Sequence, residues 1–235
     1  DEGRDGDPPR RRVLRLRDEP MRAGRFIVLE GGDGVGKSTQ AALLSSFMDA
    51  RGIPHVLTRE PGGTPVGEAI RELLLGRADF DMPAETELLL MLAARATFVR
   101  DVVRPALAEG KVVLADRFSL STLAYQGYGR GLDLDDVREA IRIATGGLDA
   151  DLYVVLDLPA REGTARQQRD GMQPDRIEQA GDAFLSRVRE GYLELAESEV
   201  TVRTVSARGK PEEVHMRIRE LLARTFPETF GEDVV

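Results

Sequence analysis

Nine consecutive residues carry the most specific chemistry in this 235-residue chain. Gly31-Gly32-Asp33-Gly34-Val35-Gly36-Lys37-Ser38-Thr39 satisfies the pattern G-x-x-x-x-G-K-[ST] in full. Glycines at these spacings let a backbone wrap around phosphate oxygens with its N–H groups pointing inward, and a helix opening at the lysine adds its positive end. In that arrangement Lys37 reaches the β- and γ-phosphates of a nucleoside triphosphate and the Ser38 hydroxyl is a ligand for Mg²⁺. The plain alternative is a glycine-rich strand-to-helix turn without a ligand. The flanks weigh against it, because residues 26–30 read as a strand and the residues up to 51 as a helix, the context a phosphate cradle requires. Only Lys37, Lys111 and Lys210 are lysines among 33 basic residues. A codon bias explains that, and it makes the position of Lys37 more informative.

A second group follows the run Lys111-Val112-Val113-Leu114-Ala115-Asp116. It reads as a strand ending on an acid placed to hold Mg²⁺ directly or through a water. Arg117 comes next, where hydrolysing motors usually carry a glutamate that orients water. An arginine instead neutralises phosphate charge and bridges donor and acceptor. Alone, Arg117 would read as a surface salt bridge; beside a strand-terminal Asp and a phosphate cradle it points to an acceptor other than water. The chain contains no Asn-Lys-x-Asp guanine-reading element. Arg59 ends another expected strand, and the turn Pro61-Gly62-Gly63 after it favours a built pocket over a solvated charge.

These side chains need a scaffold. From residue 25 short β-rich runs alternate with longer helical ones. Strands are expected at 26–30, 55–59, 111–116, 152–158 and 201–206. Helices are expected through 51, at 65–76 and 83–109, around 120–126, and at 135–145, 159–169, 181–198 and 211–225. Five strands separated by helices predict an α/β protein of the P-loop NTPase fold, a five-stranded parallel sheet with helices on both faces. Ligands of such sheets sit at the carboxyl ends of the strands, which is where the glycine-rich loop, Arg59 and Asp116-Arg117 fall.

Taken together, these residues resemble the thymidylate kinase family in its bacterial form. The resemblance rests on residues 30–39, on Thr58-Arg59-Glu60-Pro61-Gly62-Gly63-Thr64, on Leu92-Ala93-Ala94-Arg95, and on Asp116-Arg117-Phe118. It continues through Ser121-Thr122-Leu123-Ala124-Tyr125-Gln126-Gly127 and Asp175-Arg176-Ile177-Glu178-Gln179, in family order from about residue 25 to the C-terminal helix. It implies transfer of the ATP γ-phosphoryl to thymidine 5′-monophosphate (dTMP), with ATP and Mg²⁺ as co-substrate and cofactor. Arg59 and Arg117 would clamp the acceptor phosphate, Arg95 would hydrogen-bond the thymine ring, and Asp33 would contact the deoxyribose 3′-hydroxyl. Thr122 and Gln126 would line the acceptor pocket, and Tyr125 would crowd out a ribose 2′-hydroxyl. Residues 159–178 would form a lid carrying Arg161, Arg166, Arg169 and Arg176. Arg166 and Arg169, three apart on one helix face, are the candidate catalytic cations beside Lys37 and Arg117, since the phosphate loop has no arginine. Asp175 and Glu178 would help place Mg²⁺ or water, or pair with lid arginines; both readings stay open. The turn at 206–210 would flank adenine.

Two departures stand out. Met91 occupies the position, four before Arg95, where the family usually stacks an aromatic ring on thymine, and sulfur can pack there instead. The lid between Gly171 and Asp175 is about one residue longer than in common bacterial members. Rival readings are another nucleoside-monophosphate kinase with an altered base pocket, a P-loop switch or ATPase, and a silent paralogue that only binds.

Composition bounds the rest. Apolar residues are 41% and charged residues 31%, with a formal charge of −8, which argues against a broad nucleic-acid surface. With no cysteine and two histidines, disulfides, thiol nucleophiles and multi-histidine metal cages are excluded. The longest apolar run, residues 88–94, is far short of a membrane span. Residues 1–22 hold six acids and the Arg10–Arg12 cluster without an apolar period, so they are expected to be a disordered N-terminal extension, a leader ahead of a start at Met21. Residues 23–235 are expected to be one P-loop nucleoside-monophosphate kinase domain, cytoplasmic, free of membrane and nucleic acid, and by resemblance a homodimer. His55 and His215 join no constellation and are expected to be structural.

Overall fold

The structure is a computed structural model that describes residues 24–76, 81–171 and 175–231. The expected extension at 1–22 and the lid residues 172–174 lie outside them. The chain runs β1 (Arg25–Glu30), α1 (Lys37–Ala50), β2 (His55–Arg59), α2 (Pro65–Leu75), α3 (Ala84–Phe98), α4 (Arg104–Ala108), β3 (Val112–Asp116) and α5 (Ser119–Thr122). It continues through α6 (Leu134–Thr145), β4 (Leu152–Asp157), α7 (Ala160–Arg169), α8 (Asp182–Ser198), β5 (Val202–Ser206), α9 (Pro211–Thr225) and the short α10 (Pro227–Phe230). The strands pair in parallel in the order β2-β3-β1-β4-β5, as expected from the alternation of elements.

The first strand sits in the middle, so it must be apolar on both sides. Phe26 and Val28 point into a core built with Phe98, Val103, Phe118, Phe184 and Tyr192, while Ile27 and Leu29 point into the opposite core with Leu44, Met48, Ile218 and Leu222. Helices α3 and α8 therefore cover one face, and α1 and α9 the other. Among the described residues no helix is long and apolar enough to cross a membrane.

Register decides what gathers at the carboxyl edge. Asp116 lies level with Leu29 of β1 on one side and Arg59 of β2 on the other. The glycine-rich loop, the acid and an arginine thus emerge in one row, at the point where the chain order reverses.

Two expected helices differ in detail. Residues 83–109 form one helical rod, but five residues, Val99–Val103, adopt a π turn between α3 and α4. Pro105 has no N–H to give the preceding turn, and a widened turn absorbs that loss. The expected helix around 120–126 is α5 followed by a π segment, Leu123–Gly129, that carries Tyr125 and Gln126. The sequence reading missed α10.

The phosphate loop is clamped from outside by α7. A Cβ added at Gly163 would lie 2.3 Å from the Asp33 carbonyl oxygen, and one at Gly34 would lie 2.2 Å from the Gly163 carbonyl oxygen. Neither approach is possible for a larger residue, and Gly34 also has φ 70. We expect Gly163→Ala to cost about 1–3 kcal/mol through overpacking, read as a Tm lowered by several degrees, with weaker nucleotide binding because the loop must shift. An unchanged Tm and unchanged nucleotide affinity would show that α7 does not clamp the loop.

Candidate active site

The loop after β1 and the start of α1 open on a cleft of about 1340 Å³, larger than the ~300–1,000 Å³ that houses one small ligand. Gly36 precedes α1 with φ 99, no side chain caps the helix, and no acid sits in its first turn. Its free N–H groups and positive end are therefore available to an anion. Lys37 Nζ donates to the carbonyls of Gly32 (2.7 Å) and Gly31 (3.2 Å), which leaves one of its three protons. Burial and the nearby Arg117 lower its pKa, and Asp33, Asp116 and Glu30 oppose them only in part. The Ser38 hydroxyl donates to Asp116 Oδ2 at 2.8 Å. Among the described residues no group of three or more His, Cys, Asp or Glu is arranged for a metal. A hydroxyl beside a carboxylate nevertheless suits Mg²⁺, which takes one or two protein oxygens and completes its shell with phosphate and water.

Arg117 occupies the centre. Its backbone is left-handed, φ 76, a conformation unfavourable for a side-chain-bearing residue, and its amide is tied to the Leu29 carbonyl at 3.0 Å. One guanidinium nitrogen donates to Gly31 O, Ser121 Oγ and Tyr192 Oη. The other donates to Asp33 Oδ1 and to Tyr125 Oη at 3.0 Å. Tyr125 Oη in turn donates to Asp33 Oδ2 at 2.7 Å. Burial alone would raise the Asp33 pKa, but Arg117, Lys37 and the Tyr125 hydroxyl outweigh it and hold the carboxyl below its usual range. Asp33 stays charged, and Arg117 and Tyr125 share it.

The far end of the cleft is built on α3 and the π segment. Arg95 is buried, with Nε on Glu60 Oε2 (2.8 Å), Nη1 on Thr122 Oγ1 (2.9 Å) and Nη2 on the Phe118 carbonyl (3.0 Å). Three of its five N–H donors are thus spent on orientation and two remain. Met91 lines the cleft one turn before it, and Gln126 lines it from the π segment. Arg59 is more than half exposed and pairs with Glu68 at 3.2 Å. Arg71, which the sequence reading passed over, donates to the Pro61 carbonyl at 2.9 Å and joins Arg59 on the wall.

On the lid side, Arg166 and Arg169 both line the cleft, Arg166 on the Ala207 carbonyl (3.1 Å) and Arg169 on the Ala165 carbonyl (3.3 Å). Asp175, Ala207 and Gly209 line it as well. Arg176 does not belong with the lid cations. It turns inward to Glu87 (2.6 Å) and the Leu74 carbonyl (2.9 Å), because a fully buried carboxylate demands a counter-charge. His55 is held by Ser45 and the Ile53 carbonyl, and His215 packs on Phe47.

The residues missed from sequence are mostly acids: Glu30, Glu60 and Glu87, all buried. Glu87 had a signal, since Glu87, Met91 and Arg95 are spaced by four and share a helix face. Glu30 had none, because its partners Ser121 and Tyr192 come from distant elements.

A parallel sheet with a phosphate-binding loop at its switch point, an arginine where a hydrolase would orient water, and one cleft that runs on from the loop to Arg95 define a nucleoside-monophosphate kinase. The family model described as thymidylate kinase matches residues 29–218. Thymidylate kinase of Desulforudis audaxviator is 52% identical over 178 residues, 75% of this chain and 80% of that one. That of Pseudomonas putida is 50% identical over 175 residues, 74% and 83% of the two chains. The crystal structure of thymidylate kinase from Ehrlichia chaffeensis matches with a TM-score of 0.70 at 29% identity, covering 85% of this chain and 99% of that one. The chain belongs to the thymidylate kinase family, phosphotransferases acting on dTMP.

Glu60 yields a pH test. Burial pushes its pKa from 4.5 to about 7, against the pull of Arg95 and with help from Glu30, and its Oε1 is buried without a partner. The folded chain holds this proton more tightly than the unfolded one. Stability from this group is therefore intact at low pH and lost as pH rises through about 4.5 to 7. We expect the stability of Glu60→Gln relative to wild type to rise by about 3 kcal/mol at most as pH goes from about 4.5 to about 7, on top of a pH-independent cost of leaving buried Arg95 against a neutral side chain. Parallel Tm profiles for the two proteins would contradict this.

Proposed function

We propose that ATP is the phosphoryl donor, held with Mg²⁺ at the phosphate loop, and that the acceptor dTMP lies toward Arg95. The observation that carries this reading is the placement of Arg117 between the loop and the far end of the cleft, bonded to Gly31 and Asp33 of the loop on one side and to Tyr125 of the π segment on the other. A 5′-phosphate oxygen of dTMP attacks the γ-phosphorus, the bond from that phosphorus to the β–γ bridging oxygen breaks, and ADP leaves as dTDP forms. Little covalent chemistry falls to the protein, whose work is alignment and charge neutralisation. In this reading residues 31–39 cradle the donor phosphates, and Lys37 neutralises the β- and γ-oxygens. Ser38 and Asp116 would hold Mg²⁺, which when bound spreads positive charge over the same oxygens.

Arg59 and Arg117 clamp the acceptor phosphate, where planar forks match phosphate oxygens. Arg166 and Arg169 supply charge from the lid. Arg95, Thr122 and Gln126 read the base, Asp33 takes the 3′-hydroxyl, and Tyr125 fills the space of a 2′-hydroxyl. Coupled assays of ADP release should show turnover with dTMP, weak turnover with dUMP, and none with UMP, GMP, CMP or no acceptor. Lys37→Ala should lower kcat by about 10²–10³-fold. ADP release that ignores the acceptor would replace this reading with hydrolysis.

The assembly we propose is a cytoplasmic homodimer without nucleic-acid or membrane partners. Support comes from Val66, Leu73, Leu89 and Ile143, exposed apolar residues on α2, α3 and α6, three helices that pack side by side. Exposed apolar side chains on adjoining helices favour a self-complementary partner. Light scattering should give twice the mass of one chain, and Leu89→Glu should halve it. A wild-type monomer would refute the dimer.

A further inference from the structure

Glu87 is a fully buried charge behind the cleft, and no step of phosphoryl transfer uses it. It accepts hydrogen bonds from Gln126 Nε2 (2.8 Å), Arg176 Nη2 (2.6 Å), and Arg130 Nη2 (3.0 Å) and Nε (3.3 Å). We propose that Glu87 is a specificity-determining positioning residue: it fixes which end of the Gln126 amide faces the acceptor base, and so makes the pocket read a ring N–H rather than a bare ring nitrogen.

The two ends of an amide have nearly the same shape and opposite hydrogen-bonding sense, so their orientation is decided by what surrounds them. Gln126 is almost wholly buried and Glu87 completely so, so water cannot correct a mismatch. Burial would raise the Glu87 pKa, but the bonds from Arg130, Gln126 and Arg176 outweigh it and keep the carboxyl ionised. A carboxylate accepts and cannot donate. Turned the other way, the amide would press its oxygen against a buried carboxylate oxygen. Nε2 is therefore held on Glu87. Oε1 is left to the cleft that Gln126 lines, and no donor among the described residues reaches it.

Arg95 lines the same cleft as this amide. It is held to Thr122, one turn before Gln126, and it can only donate. Donor from Arg95 and acceptor from Gln126 together complement the adjacent C4 carbonyl and N3–H of thymine. Cytosine presents an amino group and an unprotonated N3 at the same two places and mismatches both. Arg95 has no alternative state. Gln126 has one, its flipped amide, and Glu87 closes it off. Glu87 also lies on the same face of α3 as Met91 and Arg95, so one helix sets the base-facing side chain, the donor and the orientation of the acceptor.

This inference rests on dTMP being the acceptor, and the experiment separates the two. The measurement is kcat/KM for dTMP and for dCMP in wild type, Glu87→Gln, Gln126→Met and the Glu87→Gln/Gln126→Met double variant. Because Glu87→Gln leaves two guanidinium groups against a neutral side chain, Glu87→Gln/Arg130→Met is made in parallel to restore the charge balance. We expect the dTMP/dCMP ratio to fall by about tenfold or more in Glu87→Gln or its charge-balanced partner, chiefly through KM. We also expect no further fall when Glu87→Gln is added to Gln126→Met, since the effect runs through that amide. A ratio unchanged in the folded variants, or losses that are equal for the two nucleotides, would overturn the role of Glu87 while leaving dTMP kinase activity in place. A wild-type enzyme inactive on dTMP would overturn the acceptor assignment and this inference with it.

Discussion

A guanidinium taken out of water must be met by carboxylates and hydrogen-bond acceptors, and the centre of this molecule is organised around one such group. Arg117 sits between β1 and β3 with its backbone in a left-handed turn and its side chain shared among Asp33, Gly31, Ser121, Tyr125 and Tyr192. Those partners come from the phosphate loop, α5, the π segment and α8. Fixing one side chain therefore ties four elements to the sheet edge. A buried charge of this sort adds little net stability but tolerates few alternative arrangements of its partners.

The same device recurs twice around the cleft. Arg95 is held by Glu60, and Arg130 and Arg176 by Glu87. In each case the acid lies deep and the cation is oriented by it. Of these cations Arg117 and Arg95 line the cleft and are set in place before a ligand arrives, while Arg59 and Arg166 at its rim are tied only to partly exposed partners or to backbone. That gradient suits a site in which one nucleotide is read and the other is delivered against it, since alignment of two phosphates is the greater part of the catalysis.

Backbone irregularity is concentrated where the site needs it. The π segment Leu123–Gly129 carries Tyr125 and Gln126, and widening of a helix is a recurrent way to redirect side chains at functional sites. The second π turn, Val99–Val103, answers Pro105. Only the first bears on chemistry.

Much of this was readable one residue at a time. The phosphate loop, the alternation of strands and helices, the strand-ending Asp116-Arg117 and the cleft-lining residues Arg95, Thr122 and Gln126 are local patterns, because glycine spacing, apolar periodicity and short motifs act over a few neighbouring positions. The partners of those residues were not readable. Glu30 meets Tyr192 across 162 positions, Glu87 meets Arg176 across 89, and Glu60 meets Arg95 across 35. Nothing local marks such an acid as buried rather than solvated. Arg176 shows the cost of that blindness: its position in the chain placed it with the lid, and only the depth of Glu87 turned it inward. Sequence settles which groups are present at the sheet edge. Burial settles which of them are paired, charged and aimed, because desolvation depends on what the rest of the chain brings against them.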